Sequence, residues 1–448
     1  MLNNVMRSLM IFFTALTVFL TPALAMADIN LYERSGASLD FGLNLGAGVF
    51  SADSTGFGGR PDEDNTGWSE YYVMPILKGS YDTGEFGMFY GELAYAGART
   101  LGDGDLADPF PGGSPEVGFT DGDSKGWESE RAYVGWRSGS LFQSLGEDAI
   151  DISVGEQDFS IGDGFLIMDG QFDYKDGAYW LAPHSSFDQA AVININTQPV
   201  RGDLFYLKSD ADQGDTELYG VNVEHINETL GTVGASYFKI TDSDYSNRDG
   251  MDVYSVRGQG TPFANLGAED LFLAGEYVYQ GGGDDLDVDA HGWYGEAGYT
   301  FSNCPWNPTL SYRYAFFSGD DEDSSDYEAF DPLFYGFSRG WGTHYMGEIV
   351  GEYYLFNSNQ QVHMVHLNAL PTEKLSTGVL YYDFTLDEKT EGRNDHFAQE
   401  VNLYADYTVN DHLYLSAVFA YATPEDAAEE LYGSDDMKLF QVAAFVTF

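Results

Sequence analysis

FAQEVNLYADYTV, residues 397–409, decides the fold. Phe397, Gln399, Val401, Leu403, Ala405, Tyr407 and Val409 fall on one side of an extended chain. Ala398, Glu400, Asn402, Tyr404, Asp406 and Thr408 fall on the other. Successive side chains of a strand point to opposite faces, so one face here is largely apolar and the other mostly polar. The next run is less clean, with Leu413, Leu415, Ala417, Phe419 and Tyr421 opposite His412, Tyr414, Ser416, Val418 and Ala420. Working outward, segments of about ten residues with this period recur from residue 38 to the C-terminus, divided by stretches rich in Gly, Asp, Asn and Ser.

The connections separate a soluble sandwich from a membrane barrel. Those at 82–85, 197–202, 227–231, 303–308, 369–374 and 409–411 are short. Between them lie longer acidic ones at 52–68, 99–125, 158–186, 209–216, 242–250, 280–289, 319–359, 388–395 and 424–436. Tight turns at one end and long loops at the other are the asymmetry of a transmembrane antiparallel β-barrel, with the long acidic loops extracellular. The strand count is 18 if residues 345–356 belong to a loop and 19 if they form a strand. A single-chain barrel with both termini in the periplasm needs an even number, so the sequence predicts 18 strands. The final strand ends on Phe448, with Phe440, Val442, Ala444 and Val446 on its lipid side. Such an end resembles the signal read by the barrel assembly machinery of the outer membrane.

Composition agrees. In 448 residues there are 32 Tyr, 32 Phe and 53 Gly, an aromatic and glycine content unsuited to a mostly helical enzyme. Acids outnumber bases 72 to 20, a formal charge of −52, which excludes electrostatic nucleic-acid binding. The single cysteine, Cys304, excludes an intrachain disulfide framework. Residues 1–27 read as a signal peptide: Arg7, an apolar run from Met10 to Leu20, then Ala25 and Ala27 at A-x-A spacing. The barrel domain is then 28–448, placed in the outer membrane of a Gram-negative bacterium among lipid and lipopolysaccharide.

Two stretches resemble the alginate-export family of outer-membrane channels. The first runs from Val154 through Gly155-Glu156-Gln157 and Gly162-Asp163-Gly164, past Asp169 and Asp173, to Phe187-Asp188. The second covers Tyr312 to Tyr421 and includes Tyr314-Ala315-Phe316-Phe317, Phe330-Asp331-Pro332-Leu333-Phe334 and Leu370-Pro371-Thr372-Glu373. Together they span a little under half of the mature chain. The resemblance implies an 18-stranded barrel, an electropositive constriction and passage of an acidic polysaccharide. This chain departs from the family's pattern in carrying Glu156 and Phe165 where arginine is usual.

Alternation places Arg131, Arg137, Arg257, Arg313, Glu276, Glu296 and Glu400 on the lumen side, where they are the candidate pore-lining residues. One reading is a charged constriction that selects solute; the other is a set of Arg–Glu pairs filling a polar wall. Trp68, Tyr71, Trp127, Trp136 and Trp293 are expected in the interfacial girdle. Most acids fall in the long loops, as at 319–326, and are expected to face the medium. Divalent cations would find hard ligands there, but no loop has the D-x-D-x-D-G spacing with its distal Glu. His363 and His366 face opposite ways along a strand, and no G-x-S-x-G occurs, so catalytic and metal sites find no support. The sequence predicts a passive, cofactor-free channel for a charged or carbohydrate solute, such as a secreted polysaccharide. The alternatives are a general or cation-preferring porin, an outer-membrane enzyme, or a structural barrel partner.

Overall fold

The computed structural model describes residues 29–59, 65–104, 122–168, 170, 176–209, 211, 214–284, 286–321, 323–337, 339, 341, 345–389 and 393–448. The signal-peptide segment, the acidic stretches 60–64 and 105–121, and Asp169 and Asp173 lie outside them.

The wall begins with β1 (Ile29–Arg34), β2 (Ala37–Asp53), β3 (Asn65–Asp82), β4 (Met88–Gly102), β5 (Lys125–Arg137) and β6 (Ile150–Gln157). It continues through β7 (Phe187–Asn196), β8 (Val200–Lys208), β9 (Thr216–Asn227), β10 (Gly231–Ser243), β11 (Met251–Gly260) and β12 (Leu271–Gly282). Then come β13 (Val288–Thr300), β14 (Thr309–Phe317), β15 (Gln360–Thr372), β16 (Leu375–Thr385), β17 (His396–Asn410), β18 (Leu413–Pro424) and β19 (Met437–Thr447). Of these nineteen strands, eighteen form a closed antiparallel barrel: each of β2 to β19 pairs with the next, and β19 returns to β2 from Thr447↔Asn44 to Lys438↔Asp53. Closure removes the sheet edges, whose bare amides and carbonyls could not be satisfied in hydrocarbon.

The expected faces are seen along β17 from Ala398 onward, but Phe397, expected on the face of Leu403, is 1% exposed and packs on Tyr354 and Tyr432 in the core, because the register shifts between His396 and Ala398. Leu403 and Tyr407 are 45% and 42% exposed on the outside, whereas Glu400 and Asn402 are each 1% exposed within. Residues 345–356 form no strand, and a π-helical turn, Gly351–Leu355, lies there instead, as the parity argument required. β1 was not anticipated. It turns at Ser35 and Gly36, both at positive φ, and pairs with Ala37–Phe41 on the edge of β2 just beyond the point where β19 ends.

Two expectations need correction. Trp68 is 1% exposed and stacks on Phe50 at 5.1 Å inside the barrel, because it shares the inward face of β3 with Glu70; it is not part of the girdle. And two of the long connections do not stay outside. The described residues of 158–186 and 318–359 fold back into the lumen, burying Phe165, Ile167, Trp180, Phe330, Tyr335, Ile349 and Val350 in one core with inward wall residues. They meet as a short parallel pair, with Phe334 N donating to Leu166 O, Met168 N to Phe334 O, and Gly336 N to Gly164 O at 2.8–3.0 Å. Acidic residues such as Asp320 and Asp321 remain exposed, but the aromatic runs beside them cannot stay in water without losing about 25 cal/mol per Å² of burial. Asp320 and Asp321 are exposed, whereas the aromatic runs of the same loops are buried.

Candidate functional site: a charge-paired cluster in the lumen

After Gln157 the chain leaves the wall, and residues 158–164 run across the lumen as a strap. At its root Asp158 accepts from Arg131 Nε at 2.9 Å and from the Ser185 and Ser186 hydroxyls at 2.8 and 3.1 Å. At its far end are Gly162, Asp163 and Gly164, the two glycines at φ +58° and +79°. Asp163 lies 3.7 Å from Arg339 and accepts from the Tyr294 hydroxyl at 3.5 Å, so the strap reaches the wall formed by β8 to β14.

That wall carries the charges. Arg257 donates to Ser236 at 2.8 Å, to Glu224 at 2.6 Å, and to Asn222. Glu276 is its cross-strand neighbour and accepts from the Ser255 hydroxyl. Two strands on, Arg313 donates to Glu296 at 2.9 and 3.1 Å and lies 4.4 Å over the Phe337 ring. Arg339, from the inward-folded loop, shares the same Glu296 oxygen at 3.2 Å and donates to Gln259 at 2.8 Å. Arg201 completes the group, 3.5 Å from Asp203 and 3.8 Å from Glu224. Between strap and wall is a cavity of 210 Å³ lined by Ser160, Asp163, Arg201, Asn222, Arg257 and Gln259, among others.

The candidates of the sequence reading therefore divide. Arg257, Glu276, Glu296 and Arg313 come together on β11 to β14. Arg131 is at the strap's root, bound to Glu92 at 3.3 Å and Asp158 at 2.7 Å. Arg137 is remote, near the short-turn end, where it bonds Asp151 at 2.8 Å and covers Tyr90. Glu400 is spent on the loop: it accepts from the amides of Ile349 at 3.1 Å and Val350 at 2.7 Å. Two unpredicted acids do similar work. Glu70 accepts from Leu181 N at 3.1 Å, and Glu130 accepts from the Ser185 and Ser186 amides at 2.9 and 3.2 Å. Inward carboxylates of the wall thus hold the backbone of both loops through charge-assisted hydrogen bonds.

Glu130 also holds His184 at 3.0 Å. Burial works against a charged imidazole there, but Glu130, with Glu128 and Asp176 beyond it, outweighs burial and raises the His184 pKa above its usual value. His363 and His366 are parted as expected, the first bonding Tyr312 on the outer face and the second Tyr404 within.

Phe165, in place of the family's arginine, is fully buried among Tyr294, Phe317, Phe330, Tyr335 and Phe337, with ring centroids 5.1–6.4 Å away. The cluster is not uniformly basic as the resemblance implied. Asp163, Glu224 and Glu296 are bonded or close to its arginines, and Glu276 is beside Arg257. Arg201, Arg339 and Asp163 escaped the sequence reading. Arg339 and Asp163 are on loops without a period, and the G-D-G run reads only as a turn.

A family model described as Alginate export matches residues 120–417. Among solved structures, Acinetobacter baumannii OccAB4 is similar over 94% of this chain and 100% of that chain, at 12% identity and a TM-score of 0.58. Pseudomonas aeruginosa OccK5 (OpdH) is similar over 91% of this chain and 98% of that one, at 11% identity and a TM-score of 0.57. A BenF-like porin from Pseudomonas fluorescens Pf-5 covers 92% and 99%, at 11% identity and a TM-score of 0.57. Likeness at such identities establishes the fold alone. No curated protein matches the sequence.

Proposed function

The chain belongs to the alginate-export family, a passive outer-membrane channel by family and fold, and from that premise we propose that its solute carries carboxylates and belongs to the acidic-saccharide class. The observation that supports this choice is the convergence of Arg201, Arg257, Arg313 and Arg339 on one sector of the lumen, in a chain with only 20 basic residues against 72 acids. Guanidinium groups are the preferred partners of carboxylates because their planar donors match two oxygens at once. Each arginine already has a protein acceptor, so a passing carboxylate exchanges with that acceptor rather than entering a vacant basic site. Exchange keeps binding weak enough to leave, which conduction requires.

A second reading, a cation-preferring porin, is favoured by the same pairing together with the net charge of −52. Block of single-channel current by soluble oligogalacturonate separates the two. The acidic-solute reading expects block in the parent channel and its loss in Arg257→Gln and Arg313→Gln. A parent channel indifferent to oligogalacturonate leaves the porin reading in place.

A further inference from the structure

A second cavity, of 460 Å³, lies at the long-loop end of the barrel. Its wall is drawn from the connections after β8, β10, β14, β16 and β18, so five separate loops converge on it. Aromatic rings dominate the lining. Tyr245, Tyr327, Tyr345, Tyr354, Phe356 and Tyr432 all face it and are half-buried. Leu431, 45% exposed, also lines the cavity, which therefore opens to the medium there. Two more wall residues, Leu333 and Phe356, hold φ of +55° and +49°. Bulky residues adopt that region only at a cost, so the folded loops, and not local preference, keep these side chains in place.

The charges of the lining cancel. Among the described residues of the wall the charged ones are Arg248 and Asp331, and Arg248 donates to both Asp331 oxygens at 2.7 and 2.8 Å. Asn247 donates to the same carboxylate at 2.9 Å, and Leu333 N at 2.8 Å. Asn359 is bonded to the Glu388 backbone, and Ser209 to Thr216. A sugar needs a partner for each of its many hydroxyls, and, the tyrosine hydroxyls apart, these polar groups are already spent. An anion fares no better, because Asp244 and Glu430 are exposed beside Tyr245 and Leu431. A cation would leave water for a wall whose carboxylate is taken by Arg248. What the wall offers is ring faces and edges. Tyr354 and Tyr432 meet edge to face at 4.9 Å, and Tyr345 and Phe356 at 5.6 Å. A further ring can join such sets in the same geometry. The volume is within the range of small-molecule cavities, with room for about one or two fused rings.

We propose that this cavity binds an uncharged aromatic molecule of that size. The site is separate from the arginine cluster: it is built from the long connections rather than from the strap and its facing wall, and it selects on apolar surface rather than on carboxylates.

Isothermal titration calorimetry of the full-length protein in amphipol, against a protein-free blank, tests it with naphthalenemethanol as the uncharged probe and naphthoate as the anionic one. Naphthalenemethanol should bind saturably, and naphthoate about tenfold more weakly or less. Ala211→Phe fills the cavity from the β8–β9 connection, and Leu431→Asp sets a charge at the opening; each should weaken the uncharged probe about tenfold. Both positions are outside the strands, so the heat-modifiable gel shift should persist, and where Leu431→Asp fails to fold Ala211→Phe decides. Ala211→Phe should also leave oligogalacturonate block unchanged; absence of that block in the parent overturns the arginine reading and not this one. No saturable binding of naphthalenemethanol, equal affinity for naphthoate, or binding that survives both substitutions overturns the proposal.

Discussion

Gly162 lies directly against Arg257: a Cβ on Gly162 would fall 2.7 Å from the arginine Nε and 2.8 Å from its Cδ. The strap and Arg257, which is bonded to Ser236, Asn222 and Glu224, therefore share one space. Gly162 also has φ +58°, which a β-branched residue adopts only with strain. Gly162→Val should displace the strap, weaken oligogalacturonate block several-fold and change open-channel conductance. Barrel assembly should be unaffected, because the strap contributes no strand. An unchanged block with normal assembly would separate the strap from selectivity.

Glu400 is expected to act through the loop it anchors. Glu400→Ala leaves the Ile349 and Val350 amides without their carboxylate, at a cost of about 1.5–3 kcal/mol for each charged hydrogen bond lost. Limited proteolysis should then cut within 318–359, and current noise should rise while reversal potential holds. A shifted reversal potential with an intact loop would put Glu400 in the permeation path instead.

The 158–186 loop should respond to pH through His184. Its folded-state pKa is raised above the usual 6.5, so the stability from its pairing with Glu130 is fully present below that value. The contribution is lost as pH rises through the higher folded-state value. Protease sensitivity of this loop should therefore increase on the alkaline side, and His184→Asn should remove the dependence. Loosening on the acid side would contradict this assignment.

Phe448 closes the barrel. Its amide donates to Leu43 O at 3.0 Å, its carbonyl accepts from Leu43 N at 3.1 Å, and its ring stacks on His412 at 5.4 Å. Deleting it should lower the yield of heat-modifiable, folded protein on gels, with the remainder protease-sensitive. An unaltered gel shift and yield would remove the terminal residue from assembly.

How much of this was legible in the sequence follows from where a period exists. Alternation along 398–409 gives both faces of β17, failing only at Phe397 beside the register shift, and parity alone assigns 345–356 to a loop, because the wall obeys a period of two and must close. Alternation gives a direction but no partner. It placed Glu400 inward without revealing that loop amides would take its carboxylate. The inward folding of 158–186 and 318–359 was hidden because acidic tips dominate their composition, while the aromatic runs that bury them, such as 165–167 and 330–337, have no regular spacing. Arg339 belongs to such a stretch, so nothing in its neighbours pointed to Glu296. Trp68 shows the converse, since reading it as girdle ignored that it shares the face of Glu70.

The most direct test of the central claim, that the arginine cluster governs the response to anions, is reversal potential across a salt series. The Debye length falls from about 30 Å at 0.01 M to about 3 Å at 1 M, so exposed loop acids are screened before charges enclosed in the lumen. The parent channel should move toward anion preference as salt rises, and the double variant Arg257→Gln, Arg313→Gln should not. A parent channel that remains equally cation-selective at every salt concentration would contradict the account.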